Sequence, residues 1–104
     1  MGAFFVLSRE NSFIFVEKRK TVRLIKDIPH ARYKIQIFNY NAKYIVKIEL
    51  GQFEQTFKIA ETDVYGLEDI ERMISQELLS NSLKRFVEMR EDWEKAFNEK
   101  NTKA

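Results

Sequence analysis

The amino-acid sequence predicts an α+β domain: an antiparallel β-meander with additional N-terminal strands, and two C-terminal helices packed on one face of the sheet. Three observations predict it. Residues 33–59 alternate apolar and polar side chains with a period of two. After "ETDVYG" the period changes to about 3.6 residues, that of an amphipathic helix. Finally, the strands and the long helix each carry one apolar side, and a chain of 104 residues has length for one modest core only. The chain therefore reads as a single domain: residues 1–30 as an N-terminal β extension or appendage, 31–98 as a compact βββαα unit, and 99–104 as a frayed tail.

At the N-terminus, "FFVLS" and "SFIFVE" flank a polar "RENS" turn and suit a hairpin, while "TVRLI" suits a further strand before Pro29. The meander follows. Its apolar positions are Tyr33, Ile35 and Ile37, then Tyr44, Val46, Ile48 and Leu50, then Phe53, Phe57 and Ile59. A hairpin tip at Asn41-Ala42 sets Ile35 opposite Ile48 and Ile37 opposite Val46. A second tip at Gly51-Gln52 sets Val46 opposite Phe57 and Leu50 opposite Phe53. Both turns thus put all three apolar sets on one side, and a slip of one residue in either would destroy that agreement. Asn-Ala is a weaker two-residue turn than Asn-Gly, because alanine resists positive φ.

"LEDIERMI" then places Leu67, Ile70, Met73 and Ile74 on one side of a short helix. Ser75 is positioned to cap a longer one, "QELLSNSLKRFVEMREDWEKAFNEK". Its Leu78, Leu79, Leu83, Phe86, Met89, Trp93 and Phe97 form one stripe, with Glu77, Asn81, Lys84, Glu88, Glu91 and Lys95 opposite. Laid across the apolar face of the meander, this stripe is expected to bury Trp93 and Phe86 against Val46 and Ile48.

Composition narrows the function. With no cysteine there is no disulfide framework, thiolate metal site or cysteine nucleophile, and a single histidine, His30, excludes a histidine-rich metal cluster. No apolar run approaches the roughly 20 residues of a membrane-spanning helix. The opening "MGAFFVL" lacks the basic lead and cleavage site of a secretory signal, and Val6 stands where a myristoylation pattern wants Ser or Thr. A cytoplasmic protein without a cofactor or a membrane is expected. The net charge is +2 but unevenly spread: residues 1–49 hold ten Lys/Arg against four Asp/Glu, and residues 50–104 eight against twelve.

No phosphate-binding glycine loop, nucleophile elbow, zinc spacing or dinucleotide fingerprint is present. His30, in "IPHARY", could act as a general base, but it has no neighbouring nucleophile or carboxylate motif and reads as a loop histidine. Glu49 and Glu54 fall opposite each other in the meander, where adjacent carboxylates could share a cation. Lys34 opposes Glu49, so a solvated charge ladder is the favoured reading. Asp63, Glu68, Asp69 and Glu71 gather near a helix start, which favours negative charge. Arg90 lies inside the apolar arc of the long helix and could hold an anion, though snorkelling at the end of the sheet suffices to place it. Lys18, Arg19, Lys20, Arg23 and Lys26, interleaved with Phe13, Phe15 and Tyr33, have the mixture that nucleic-acid binding uses. The acidic second half would repel a polyanion, so a charged turn and edge strand is favoured there.

One departure from the pattern stands out. On the otherwise polar reverse face of the meander, Phe38 pairs with Ile45, and Tyr40 lies nearby. Nine phenylalanines, four tyrosines and a tryptophan are many for a chain this short to bury. Either a hairpin from residues 3–16 or a second chain is expected to cover Phe38, Tyr40 and Ile45. Between Lys26 and Phe97, the run "KDIPHARYKIQIFNYNAKYIVKIELGQFEQTFKIAETDV" and the helical "REDWEKAF" resemble small uncharacterised bacterial proteins. That resemblance implies no activity and places the folded unit in the second part of the chain. The expectation from the residues is a small non-enzymatic interaction module that self-associates as a homodimer or binds another protein. The alternative is a nucleic-acid-binding accessory protein using Lys18–Lys26.

Overall fold

The computed structural model describes residues 21–100. Four strands, β1 (Arg23–Ile28), β2 (Lys34–Tyr40), β3 (Lys43–Leu50) and β4 (Phe53–Ala60), lie in sequence order in one antiparallel sheet. A 3₁₀ turn over Glu61–Asp63 leads to α1 (Leu67–Met73) and α2 (Gln76–Glu99). The α+β class and the meander follow from the alternation, and β1 is the further strand seen in "TVRLI". The hairpin read in "FFVLS" and "SFIFVE" lies outside the described residues.

Register in the meander is that set by the two expected tips. Ile35 faces Ile48 and Ile37 faces Val46 across β2 and β3, while Val46 faces Phe57 and Leu50 faces Phe53 across β3 and β4. The first tip holds both Asn41 (φ 55°) and Ala42 (φ 64°) in the left-handed region. Asparagine tolerates that region, whereas the Cβ of alanine makes it costly. At the second tip Gly51 takes positive φ (63°), which glycine adopts without penalty. The Glu61 N–H donates to the Ala42 carbonyl (3.1 Å), and the Asn39 amide donates to the Glu61 carboxylate (2.5 Å). These bonds fasten the first tip to the chain leaving β4.

Tyr33, Ile35, Ile37, Val46 and Ile48 from the sheet and Ile70, Leu79 and Phe86 from the helices are buried together. Tyr33 stacks on Phe86 with ring centroids 6.1 Å apart and donates its hydroxyl to the Leu79 carbonyl (3.2 Å). A buried phenol thereby keeps a partner while its ring joins the core. Ser75 caps α2 as its position suggested, its Oγ accepting from the Leu78 N–H (3.1 Å).

One expectation is corrected. Phe86, Val46 and Ile48 are buried together, but Trp93 is 53% exposed and Phe97 51%. The reason is length. A helix of 24 residues spans about 36 Å, whereas a strand of 8 residues spans about 26 Å. The helix outruns the sheet, and every residue from Arg90 to Lys100 is exposed. Met73, placed on the apolar side of α1, is exposed as well.

Candidate interaction surface

Among the described residues the helices cover the inner face of the sheet, and the outer face is organised into cross-strand rows that the register defines. Tyr40, Lys43 and Ala60 form one row. Leu24, Phe38, Ile45 and Lys58 form the next, crossing all four strands. Asp27, Gln36, Lys47 and Thr56 follow, and then Lys34, Glu49 and Glu54. The structure therefore brings Phe38, Tyr40 and Ile45 together on one face, each half-buried. The Lys47 ammonium lies 5.3 Å from the centre of the Phe38 ring, within cation–π range, and 3.5 Å from the Glu54 carboxylate.

Leu24 is the member that sequence reasoning missed. It is 50% exposed and opposite Phe38. In β1, Lys26 and Ile28 face inward opposite Ile37 and Ile35, so strict alternation would send Leu24 inward too. A β-bulge between Leu24 and Lys26 inserts Ile25 as an extra residue and turns Leu24 to the outer face. The one signal in the sequence was the doublet Leu24-Ile25, which breaks the period of two.

The remaining candidates occupy other places. Lys18, Arg19 and Lys20 lie outside the described residues. Arg23 and Lys26 are exposed on β1, but Lys26 points to the helical side and pairs with Glu71 of α1 (2.6 Å). His30 is exposed, and its Nδ1 accepts from the N–H groups of Arg32 (3.0 Å) and Tyr33 (3.3 Å), so it shapes the loop that delivers Tyr33 to the core. Glu49 and Glu54 are opposite each other as expected, with Lys34 opposite Glu49. No group of three or more potential metal ligands occurs among the described residues. Asp69 accepts from the Tyr65 N–H (2.8 Å) and pairs with Arg72, fastening the start of α1. Arg90 is exposed and lines an open groove of about 400 Å³ with Leu50, Phe53, Phe86, Val87 and Glu94.

A polar cluster between β4 and α2 was not read from the sequence. Gln55 sits on the inner face opposite Ile48, donates to the Ser82 carbonyl (2.9 Å) and accepts from Arg85 Nε (2.8 Å). Arg85 also donates to Ser82 Oγ (3.1 Å), and Ser82 is fully buried. Each group finds a partner, so the cluster fixes how α2 lies on β4 without leaving a buried polar atom unpaired. No helix among the described residues is long and apolar enough to cross a membrane. Comparison of the chain with protein-family models, with curated proteins and with solved structures gives no match in any of the three.

Proposed function

We propose that this chain is a small, non-enzymatic, cytoplasmic interaction module that binds a protein partner or a copy of itself through the outer face of its sheet. The row Leu24, Phe38 and Ile45, with Tyr40 beside it, carries this reading. Solvated faces of antiparallel sheets are polar, and an apolar row across three strands exposes surface that association would bury. The edge of β1 is a poorer docking site. Its bulge and the charges of Arg23, Lys26 and Asp27 are the devices that discourage strand addition.

Sedimentation at micromolar concentration tests it. The parent is expected to run heavier than its 12.5 kDa mass, and Phe38→Lys to restore that mass while keeping the fold. A parent that stays at 12.5 kDa and is unchanged by the substitution overturns self-association.

A second reading, a nucleic-acid-binding accessory protein, has some support from the same face, where Phe38 and Tyr40 lie among Lys43, Lys47 and Lys58. Aromatic rings and cations in that arrangement suit single strands. It calls for affinity that falls steeply with salt and is lost on Lys43→Gln, Lys47→Gln and Lys58→Gln together; loss on Lys18→Gln, Arg19→Gln and Lys20→Gln instead would assign it to the basic segment Lys18–Lys26.

A further inference from the structure

We infer that two copies of this chain pair antiparallel along the free edge of β4, joining their sheets into one. This goes beyond the outer-face reading, because edge and face are separate surfaces.

Among the described residues no strand lies on the far side of β4. The two edges of the sheet differ. β1 is bulged between Leu24 and Lys26, whereas the eight residues of β4 pair with β3 without a shift in register and include no proline. The tip at Gly51-Gln52 fixes which backbone groups of β4 are already used. Leu50 and Phe53 flank a two-residue turn, which makes them a hydrogen-bonded pair, and such pairs alternate along an antiparallel ladder. Phe53, Gln55, Phe57 and Ile59 therefore bond to β3. The Glu61 N–H, next in the same alternation, donates to the Ala42 carbonyl (3.1 Å). Glu54, Thr56 and Lys58 turn their N–H and C=O groups outward, where a further strand can take them.

The side chains select both partner and register. A two-fold axis at Thr56 sets the partner's Lys58 opposite Glu54, the partner's Glu54 opposite Lys58, and the two threonines opposite each other. Centred on Glu54 or Lys58, the pairing would oppose two glutamates or two lysines. Centred on Gln55 or Phe57, it would leave neither charge facing its opposite. Only one register matches the charges, and in it the edge is its own complement. Lys58 has no ion pair among the described residues. Glu54 has Lys47 of β3 at 3.5 Å on one flank, and the free edge is its other flank. The same register sets the partner's Phe53 opposite Ile59 on the inner face. There an open groove of about 410 Å³, lined by Phe57, Ile59, Met73 and Leu78 among others, borders the strand. Exposed Met73 thus gains apolar cover that its own chain does not give it.

One pair of short strands is a small interface, so the pairing is expected at about 0.1–1 mM. Sedimentation of the full chain carrying Phe38→Lys, which removes the outer-face contact, tests it, with each fold checked by circular dichroism. That chain is expected to run heavier than 12.5 kDa in this range. Adding Thr56→Pro removes an outward N–H while leaving the ladder to β3 intact, a position where a strand tolerates proline. It is expected to weaken association about tenfold or more. Adding Glu54→Lys or Lys58→Glu is expected to weaken it as well, since each sets like charges opposite each other. An equimolar mixture of these two variants is expected to associate again, because each supplies the charge that the other lacks. A mixture that associates no better than either variant alone overturns the register and the choice of a second copy. An unaffected Thr56→Pro, or a mass of 12.5 kDa throughout, overturns the pairing, while the outer-face reading stands or falls on the parent at micromolar concentration.

Discussion

The two halves of α2 continue one amphipathic pattern and meet different fates. From Leu78 to Met89 the stripe lies on the sheet, with Leu79 and Phe86 buried and Leu78, Leu83 and Met89 packed against them. From Arg90 onward the same spacing presents Trp93 and Phe97 to solvent. Periodicity identifies which side of a helix is apolar. The surface that covers it is set by how far the opposing strands reach, and β3 and β4, at eight residues each, are shorter than the helix.

The largest expected effect breaks the comparison directly. Phe86→Ala removes a buried ring that stacks on Tyr33, and should cost about 3–5 kcal/mol. Set against the roughly 5–15 kcal/mol that holds a small domain folded, that is enough to unfold a marginal one. Trp93→Ala, seven residues along the same stripe, should leave the stability of the monomer within about 0.5 kcal/mol. Denaturant titrations at low protein concentration compare the two. Equal losses would mean that Trp93 is covered within the monomer.

A smaller effect is expected where α2 crosses β4. Ser82 is fully buried, and a larger side chain there would push the helix away from Gln55. Ser82→Leu should cost about 1–3 kcal/mol by overpacking, with the bond from Gln55 to the Ser82 carbonyl lost as the helix shifts. Ser80→Leu, the same change at an exposed position of the same helix, should have little effect. A tolerated Ser82→Leu would show that the crossing of α2 over β4 is not close-packed.

How much of this could be read in advance depended on whether a feature had a period. The meander register was legible, since two short turns of fixed length and three alternating strands admit one consistent pairing. Ser75 as a cap and the change to helical spacing were legible for the same reason. Phe38, Tyr40 and Ile45 could be found because each sits on the wrong side of an alternation. Leu24 could not, because a single extra residue at Ile25 reverses the alternation before it. Gln55 interrupts the apolar set of β4 and reads as a break, although its partners Ser82 and Arg85 lie a helix away in sequence. The exposure of Trp93 follows from relative element lengths, which spacing does show, together with where α2 is seated along the sheet, which spacing does not.

The turn between β2 and β3 sharpens the contrast between legible pattern and hidden strain. Ala42 is held at positive φ, and its neighbour Lys43 begins a strand whose register the core dictates. Ala42→Gly relieves the Cβ conflict while loosening the unfolded chain, and the net gain should be about 0.5–1 kcal/mol. A higher midpoint at unchanged denaturant slope is the expected result. A loss of stability would place Ala42 outside the left-handed region.

The smallest effect concerns Lys26, whose place on the inner side of β1 separates it from the outer face that the binding readings invoke. Its pair with Glu71 joins the edge strand to α1, but both side chains are substantially exposed, at 45% and 32%. In water such a pair gains little beyond the entropy it loses, and salt screens what remains. A double-mutant cycle with Lys26→Gln and Glu71→Gln should give a coupling of about 0.2–1 kcal/mol that fades at high ionic strength. Neither substitution should alter self-association, because neither residue belongs to the rows around Phe38. Loss of association on Lys26→Gln would move the docking surface from the outer face to the edge of β1. It would also raise the standing of the basic segment, since Arg23 and Lys26 lie on that strand.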